Sequence, residues 1–340
     1  MTSSTSAAAA EFARRQHTPL ERVRHLLHGH PWLSPLLILV VTTLVFAALN
    51  PRYLAPSAQS LLFQQVAVIA CLAIGQTLVI LTAGIDLSVG ASAILSMMVM
   101  ASLAADQGVH PLVALLIGIL LAVAAGFLNG FLVTAVNLPP FIVTLGTLSI
   151  FTAVALLYSG GRSIQNTSLP DLLNWTGTTI ALGPFHVTVG VLMVLALYAV
   201  VGFVLSQTAW GRHVYAVGDD PDSARLSGVA SKRVLLSVYM VAGLIYGVAA
   251  WIQIGRAGAA SPNGIVDANL DSITAVVIGG TSLFGGRGGV IGTLLGAVIV
   301  GAFTLGLSLA GVDQQWRLLA IGVLVIVAVS LDQWIRRVKA

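Results

Sequence analysis

Ionisable side chains are scarce in this chain, so the places where they gather are conspicuous. Residues 218–228, "GDDPDSARLSG", hold three carboxylates (Asp219, Asp220 and Asp222) and the guanidinium of Arg225. The forty residues from Leu172 to Gly211 contain no Asp, Glu, Lys or Arg, and neither do the twenty-two after Arg233. The order of residue types suits helix capping. Asp220 is a good N-cap, Pro221 fits the first helical position, and Asp222 adds negative charge to the first turn. Gly228 can close the helix. The stretch in front, "GRHVYAVG", supplies Val214, Tyr215 and Val217. A helix of about two turns is marginal in water unless it packs on something. Two readings stand: a capped, solvated loop, or a short helix that seats in a groove of a partner.

The second site is "TAGIDLSVGAS", with Asp86 beside long apolar runs. Gly84 can break the chain there, and Asp86 can cap the next helix through the backbone N–H of Ser88 or Val89. An ionisable residue at such a depth is also a functional hypothesis, as a gate, a partner-facing charge or a proton relay. A third motif, "GGTSLFGGRGG" at 279–289, resembles a phosphate loop only superficially. A Walker loop needs Gly-x4-Gly-Lys-Ser/Thr, whereas Gly286-Arg287 follows Gly280 and Gly285 here. A tight reversal with Arg287 at headgroup level is the better reading. His110 and His186 stand singly at span ends, where an interfacial role is expected. No Ser-His-Asp spacing, metal cluster or carboxylate pair marks the apolar regions, so an embedded enzyme has no support. Cys71 is the single cysteine, which excludes a disulfide within the chain.

Composition sets the frame for these residues. The 340-residue chain is 57% hydrophobic and 8% charged, with mean hydropathy +0.96. Soluble domains carry about 25% charged residues. The expectation is an all-α polytopic membrane bundle with about ten transmembrane helices. The spans read as 33–49, 61–83, 87–105, 111–136, 139–159, 186–206, 234–255, 272–285, 289–311 and 317–335, the eighth being short. With the N-terminus inside, twelve Lys and Arg face the cytoplasm and four face out, so both termini are expected to be cytoplasmic. The expected organisation is a basic, partly disordered N-terminal tail at 1–30, one transmembrane domain at 31–335 with a cytoplasmic loop at 207–233, and a cytoplasmic tail at 336–340. The first span reads as an uncleaved anchor, and no polar segment is long enough for an ATPase domain.

Gly126 and Gly130, Gly243 and Gly247, and Gly292 and Gly296 are each four apart. Such pairs let membrane helices approach closely, within the bundle or at a seam between copies. Gln64, Gln65, Gln76, Asn129, Asn137 and Gln253 are polar groups in or beside spans. Of these Gln76, Asn129, Asn137 and Gln253 are candidates to line a polar pathway, though helix-to-helix hydrogen bonds explain them equally well.

"GRHVYAVGDDPDSARLSGV" resembles the cytoplasmic loop of permease subunits of bacterial ATP-binding-cassette monosaccharide importers of the ribose, xylose, arabinose and galactose type. The resemblance continues in "GQTLVILTAGIDLSVG" at 75–90 and "ITAVVIGGTSLFGGRGGVIGTLLGAVIVG" at 273–301, and covers nearly all of 60–335. The C-terminal "WRLLAIGVLVIVAVSLDQWIRR" is most similar to the fructose-import branch. Two departures are visible: Asp219-Asp220 stands where many relatives have Gly-Asn, and Asn269 where many have Glu.

The resemblance implies a bacterial plasma-membrane permease for a monosaccharide, fructose first and ribose or another pentose or hexose next. It implies a non-catalytic subunit that binds no cofactor itself, the partner ATPase subunits using ATP and Mg. It implies a second permease copy, an extracytoplasmic sugar-binding protein and membrane lipid as the other partners, with no nucleic acid. In that frame 220–228 is the coupling helix, and Gly211, Arg212, Tyr215, Asp220, Pro221, Ala224, Arg225, Leu226 and Gly228 form the ATPase-coupling set. Gly84, Asp86 and Ser88 form a gating or helix-cap set. The rival reading is an ion-coupled secondary sugar transporter, which usually needs intramembrane acidic residues that these spans almost lack.

Overall fold

A computed structural model describes residues 32–265, 267–323 and 326 of the chain. The expected tails at 1–30 and 336–340 lie outside these residues, as does most of the span read at 317–335. The described residues are predominantly helical. Helices α1 (Leu33–Leu49), α2 (Pro56–Leu81), α3 (Val89–Ala105), α4 (Pro111–Thr134) and α5 (Pro140–Ser159) come first. A short α6 (Asp171–Asn174) precedes α7 (Val189–Gln207), α8 (Ala209–Asp219), α9 (Pro221–Leu226), α10 (Ser231–Ala257), α11 (Ala268–Ile278) and α12 (Val290–Leu309). Residues 314–323 begin a further helix.

Six of these helices, α2, α4, α5, α7, α10 and α12, are long and apolar enough to cross a membrane; α1, α3 and α11 are shorter apolar helices. Proline opens α2, α4 and α5, where its missing N–H costs nothing. In its most apolar stretch α2 is 83% buried, against 28% for α5 and for α7. That contrast makes α2 the central helix, and it packs on α10, α12, α11 and α7. The outer helices turn Leu116, Leu120, Ile150 and Phe203 outward. Outward-facing apolar side chains are the expected partners of lipid tails.

The span expected at 272–285 is corrected. Helix α11 ends at Ile278, and Gly280, Gly285, Gly286 and Gly288 have positive φ in the loop that follows. Eleven residues rise about 16 Å, roughly half the hydrocarbon thickness. Helix α3 is also short. Its N-terminal Gly90 N–H donates to Asn269 Oδ1 at 2.5 Å, so the first turns of α3 and α11 meet inside the bundle.

The connections sort to two ends. At end A, Asn50 Nδ2 donates to the Leu309 carbonyl at 2.9 Å and Gln107 Nε2 to Tyr158 Oη at 3.2 Å. Two short antiparallel strand pairs also lie there. Strand β1 (Ile164–Gln165) pairs antiparallel with β4 (Ala259–Ala260), and β2 (Thr179–Leu182) with β3 (Phe185–Thr188). End B gathers the α2–α3, α4–α5, α7–α10 and α11–α12 connections.

Close backbone approach holds the bundle. A Cβ added to Gly126 of α4 would overlap the Tyr239 carbonyl of α10, and one added to Gly243 of α10 would overlap the Ala122 carbonyl of α4. Gly130 and Gly247 continue the same seam, while Gly292 and Gly296 of α12 sit on Gly279 and Ala275 at α11. All three glycine pairs therefore pack within one chain. Gly243→Leu is expected to force α4 and α10 apart at a cost of about 1–3 kcal/mol. Thermal unfolding in detergent should show a lower midpoint; an unchanged midpoint would mean that the seam is not tight.

Candidate functional site

The polar residues of end B are built outward from the end of α2. The helix stops because Ala83 adopts φ +59, with Ala83 N–H donating to the Ile80 carbonyl at 2.9 Å and Gly84 N–H to the Val79 carbonyl at 3.0 Å. The left-handed residue is thus Ala83, and not Gly84 as its residue type suggests. Gly84 is needed for space instead, because Val79 and the Tyr239 hydroxyl crowd the position of a Cβ.

Beyond Gly84 the chain turns back into the bundle. Asp86 is 1% exposed. Its Oδ1 accepts from the Ser88 N–H at 2.8 Å and from Ser88 Oγ at 2.7 Å. Ser88 is the residue before α3, and its Oγ accepts from Asn129 Nδ2 at 2.8 Å. Asn129 Oδ1 accepts from Thr147 Oγ at 2.7 Å. Thr144 Oγ1 donates to the Ile85 carbonyl at 2.9 Å. A ladder Asp86–Ser88–Asn129–Thr147 therefore ties the α2–α3 segment to α4 and α5. Tyr239 and Tyr246 of α10, both buried, close the other side. Tyr239 abuts Gly84, and Tyr246 packs against Gly75 of α2.

The expected pathway residues do not converge. Asn129 spends both ends of its amide in the ladder. Gln76 is fully buried on α2 without a hydrogen-bond partner among the described residues. Gln253 Oε1 accepts from Arg256 Nε at 3.1 Å near end A, and Asn137, exposed at end B, accepts from Lys232 Nζ at 2.8 Å.

The acidic stretch stands at end B. Thr208 caps α8 by accepting from the Gly211 N–H at 3.2 Å, a cap that an apolar reading of the sequence passes over. Arg212 is exposed on this helix. Asp220 caps α9: Oδ1 accepts from the Asp222 and Ser223 N–H groups at 2.9 and 3.1 Å, and Oδ2 from Ser223 Oγ at 2.6 Å. These bonds, the Ser223 hydroxyl foremost, hold the Asp220 carboxyl below the usual carboxylate range. Its contribution is thus fully present above the unfolded value near pH 4 and is lost only as pH falls through the lower folded value. Pro221 opens α9, and Gly228 follows it with φ +87. Ala224 faces inward, Arg225 reaches Asp222 at 3.6 Å, and Leu226 is 85% exposed. Ser231 Oγ donates to the Pro221 carbonyl at 3.2 Å, fastening α9 to the start of α10.

Three segments interlock beneath α9. Gly286 N–H donates to the Leu81 carbonyl at 3.0 Å. A Cβ on Gly218 would overlap that same carbonyl, one on Gly285 would meet Gly218 and Ala83, and one on Gly286 would meet Asp219. Tyr215 Oη donates to the Gly288 carbonyl at 3.0 Å. Burial raises the Tyr215 pKa, so the hydroxyl stays a donor. The hinge between α8 and α9 is therefore locked to the end of α2 and to the loop before α12. The arrangement ties three separate segments together through main-chain atoms and one tyrosine hydroxyl.

Asp86→Asn keeps an Oδ1 acceptor for both Ser88 donors and is expected to retain most folded protein and most transport. Asp86→Leu orphans Ser88 and should cost about 1–3 kcal/mol per buried unsatisfied group. Comparing detergent-stable protein and uptake in the two variants tests this. Loss of transport in a well-folded Asp86→Asn protein would mean that the charge itself acts.

Residues 60–329 match the family described as "Branched-chain amino acid transport system / permease component". The chain is 44% identical to the fructose import permease protein of Rhizobium meliloti, over 99% of this chain and 94% of that one. It is 36% identical to the ribose import permease protein of Bacillus subtilis, over 88% and 92%, and 35% identical to the D-allose transport system permease protein of Escherichia coli, over 88% and 91%. No solved structure matches.

Proposed function

The chain belongs to the family of branched-chain amino acid transport system permease components, and from that premise we propose that it is the membrane subunit of an ATP-binding-cassette monosaccharide importer. Fructose is the first candidate substrate, because the fructose permease shares 44% identity against 36% for the ribose permease. Ribose or another pentose or hexose follows. The subunit is not an enzyme: separate ATPase subunits use ATP and Mg to drive transport, and an extracytoplasmic binding protein delivers the sugar. It acts in the bacterial plasma membrane, paired with a second permease copy and surrounded by lipid.

In this reading about ten spans form one domain over 31–335, end B is cytoplasmic, and so are both termini. The basic residues of end B support that orientation, since Arg212, Arg225, Lys232, Arg233 and Arg287 all belong to its connections. Reporter fusions at the two termini are expected to report cytoplasm. A C-terminal fusion active only outside would invert the topology.

The observation that carries the proposal is α9: a capped helix of six residues, pinned to α10, whose Leu226 stands 85% exposed outside the apolar bundle. Such a side chain suits a groove in the ATPase, with Arg225 at the rim. Because α8 and α10 flank α9 in the chain, movement of the groove would move the spans. Leu226→Asp should leave the permease folded, weaken its co-purification with the ATPase subunit by about tenfold or more, and abolish ATP-driven uptake in reconstituted vesicles. Undiminished co-purification with normal uptake would reject this role. Uptake driven by an ion gradient in vesicles holding this chain alone would establish the secondary-transporter reading instead.

A further inference from the structure

The loop 279–289, whose glycines lock the α8–α9 hinge to the end of α2, also presents Phe284 with 75% of its surface exposed. Among the large apolar residues in the end-B connections, only Leu226 is more exposed. We propose that this loop is a second docking element for the ATP-hydrolysing subunit, with Phe284 as its apolar anchor beside Leu226. The inference rests on the docking role given to α9 and extends it to a separate stretch of chain.

Size is the first argument. Helix α9 has six residues, while a stable protein interface takes roughly 20–30 residues on each side. Even with its flanking turns, α9 cannot hold an ATPase subunit alone, so neighbouring surface must contribute.

Position is the second. The loop is welded to the α8–α9 hinge through main-chain atoms, with Gly285 against Gly218, Gly286 against Asp219, and the Gly288 carbonyl receiving the Tyr215 hydroxyl. Phe284 therefore stands two residues before Gly286, which abuts the exposed Asp219 of the hinge.

Rigidity is the third. The Ser282 N–H donates to the Arg287 carbonyl at 2.8 Å, and the Phe284 N–H to Ser282 Oγ at 3.3 Å, so the tip has a defined shape before any partner arrives. A preformed loop loses little entropy on docking. A large apolar side chain on such a tip is the kind of residue that anchors an interface.

A partner gripping both Leu226 and Phe284 would hold the hinge, the end of α2 and the start of α12 as one unit. Motion would then pass to the central helix as well as to α10.

The test places a photo-crosslinking benzoyl-phenylalanine at 284 or at 226 in the full transporter assembled with its ATPase subunit. Phe284→Ala is measured alongside. Since Phe284 is exposed, its truncation leaves the bundle's packing untouched. Crosslinks to the ATPase from both positions are expected, with co-purification weakened about tenfold by Phe284→Ala. Crosslinking from 226 alone would overturn the second contact and leave α9 docking in place. So would crosslinks from 284 only to lipid or to another copy of this chain. Failure at both positions would overturn the docking role of α9 together with this inference.

Discussion

Lipid tails are as apolar as leucine, so helices in a membrane gain little from hiding apolar surface against one another. What remains is close contact, and this bundle is built on it. The seam between α4 and α10 lets backbone meet backbone at Gly126 and Gly243, and α12 lies on α11 in the same way. These contacts surround α2, which becomes a buried central helix although its sequence is no more apolar than that of its lipid-facing neighbours. Its mean hydropathy of 1.9 is below the 2.7 of α4, which is only 33% buried over its own apolar stretch. Position in the bundle follows from small residues and shape, and hydropathy alone does not rank the helices.

A carboxylate inside such a bundle needs compensation. Asp86 has it from two Ser88 donors, and Ser88 is in turn held by Asn129 and Asn129 by Thr147. Each member of the ladder is committed to the next. The short α3 and α11 follow the same logic, since each leaves N-terminal amides inside the bundle. Asn269 answers one of them by accepting from Gly90. Asp86, Ser88 and Asn269 thus close gaps left by interrupted helices.

Much of this could be read in the sequence. The long spans declared themselves by apolar runs ended by Pro, Gly and polar residues, and the α9 cap was legible from Asp220, Pro221 and Gly228. The rest depended on contacts that no local pattern carries. The end of α11 lay hidden because "AVVIGGTSLFGG" remains apolar well past Ile278 and its glycines bend it only in three dimensions. Asn129 was open to two readings, a pathway residue or a helix-to-helix tie, because composition cannot tell a hydrogen bond to Ser88 from one to a sugar. The left-handed residue at the end of α2 was hidden because Ala83 holds that conformation while the adjacent glycine is required for space. Tyr239, Tyr246 and Phe284 carried no signal at all, being ordinary aromatics in apolar surroundings. Substrate choice was legible only as similarity.

The interlock below α9 is made of glycines and carbonyl groups at 81, 218, 285 and 286. Side chains on its outer surface take little part in it, Tyr215 excepted. In the function proposed above, the joint that would transmit movement and the face that would meet a partner are therefore made of different atoms. Side chains such as Arg225 and Arg287 could change on that face while the main-chain joint beneath them stayed intact. A change of outer side chains would then alter what this face binds and leave the packing of the three segments as it is.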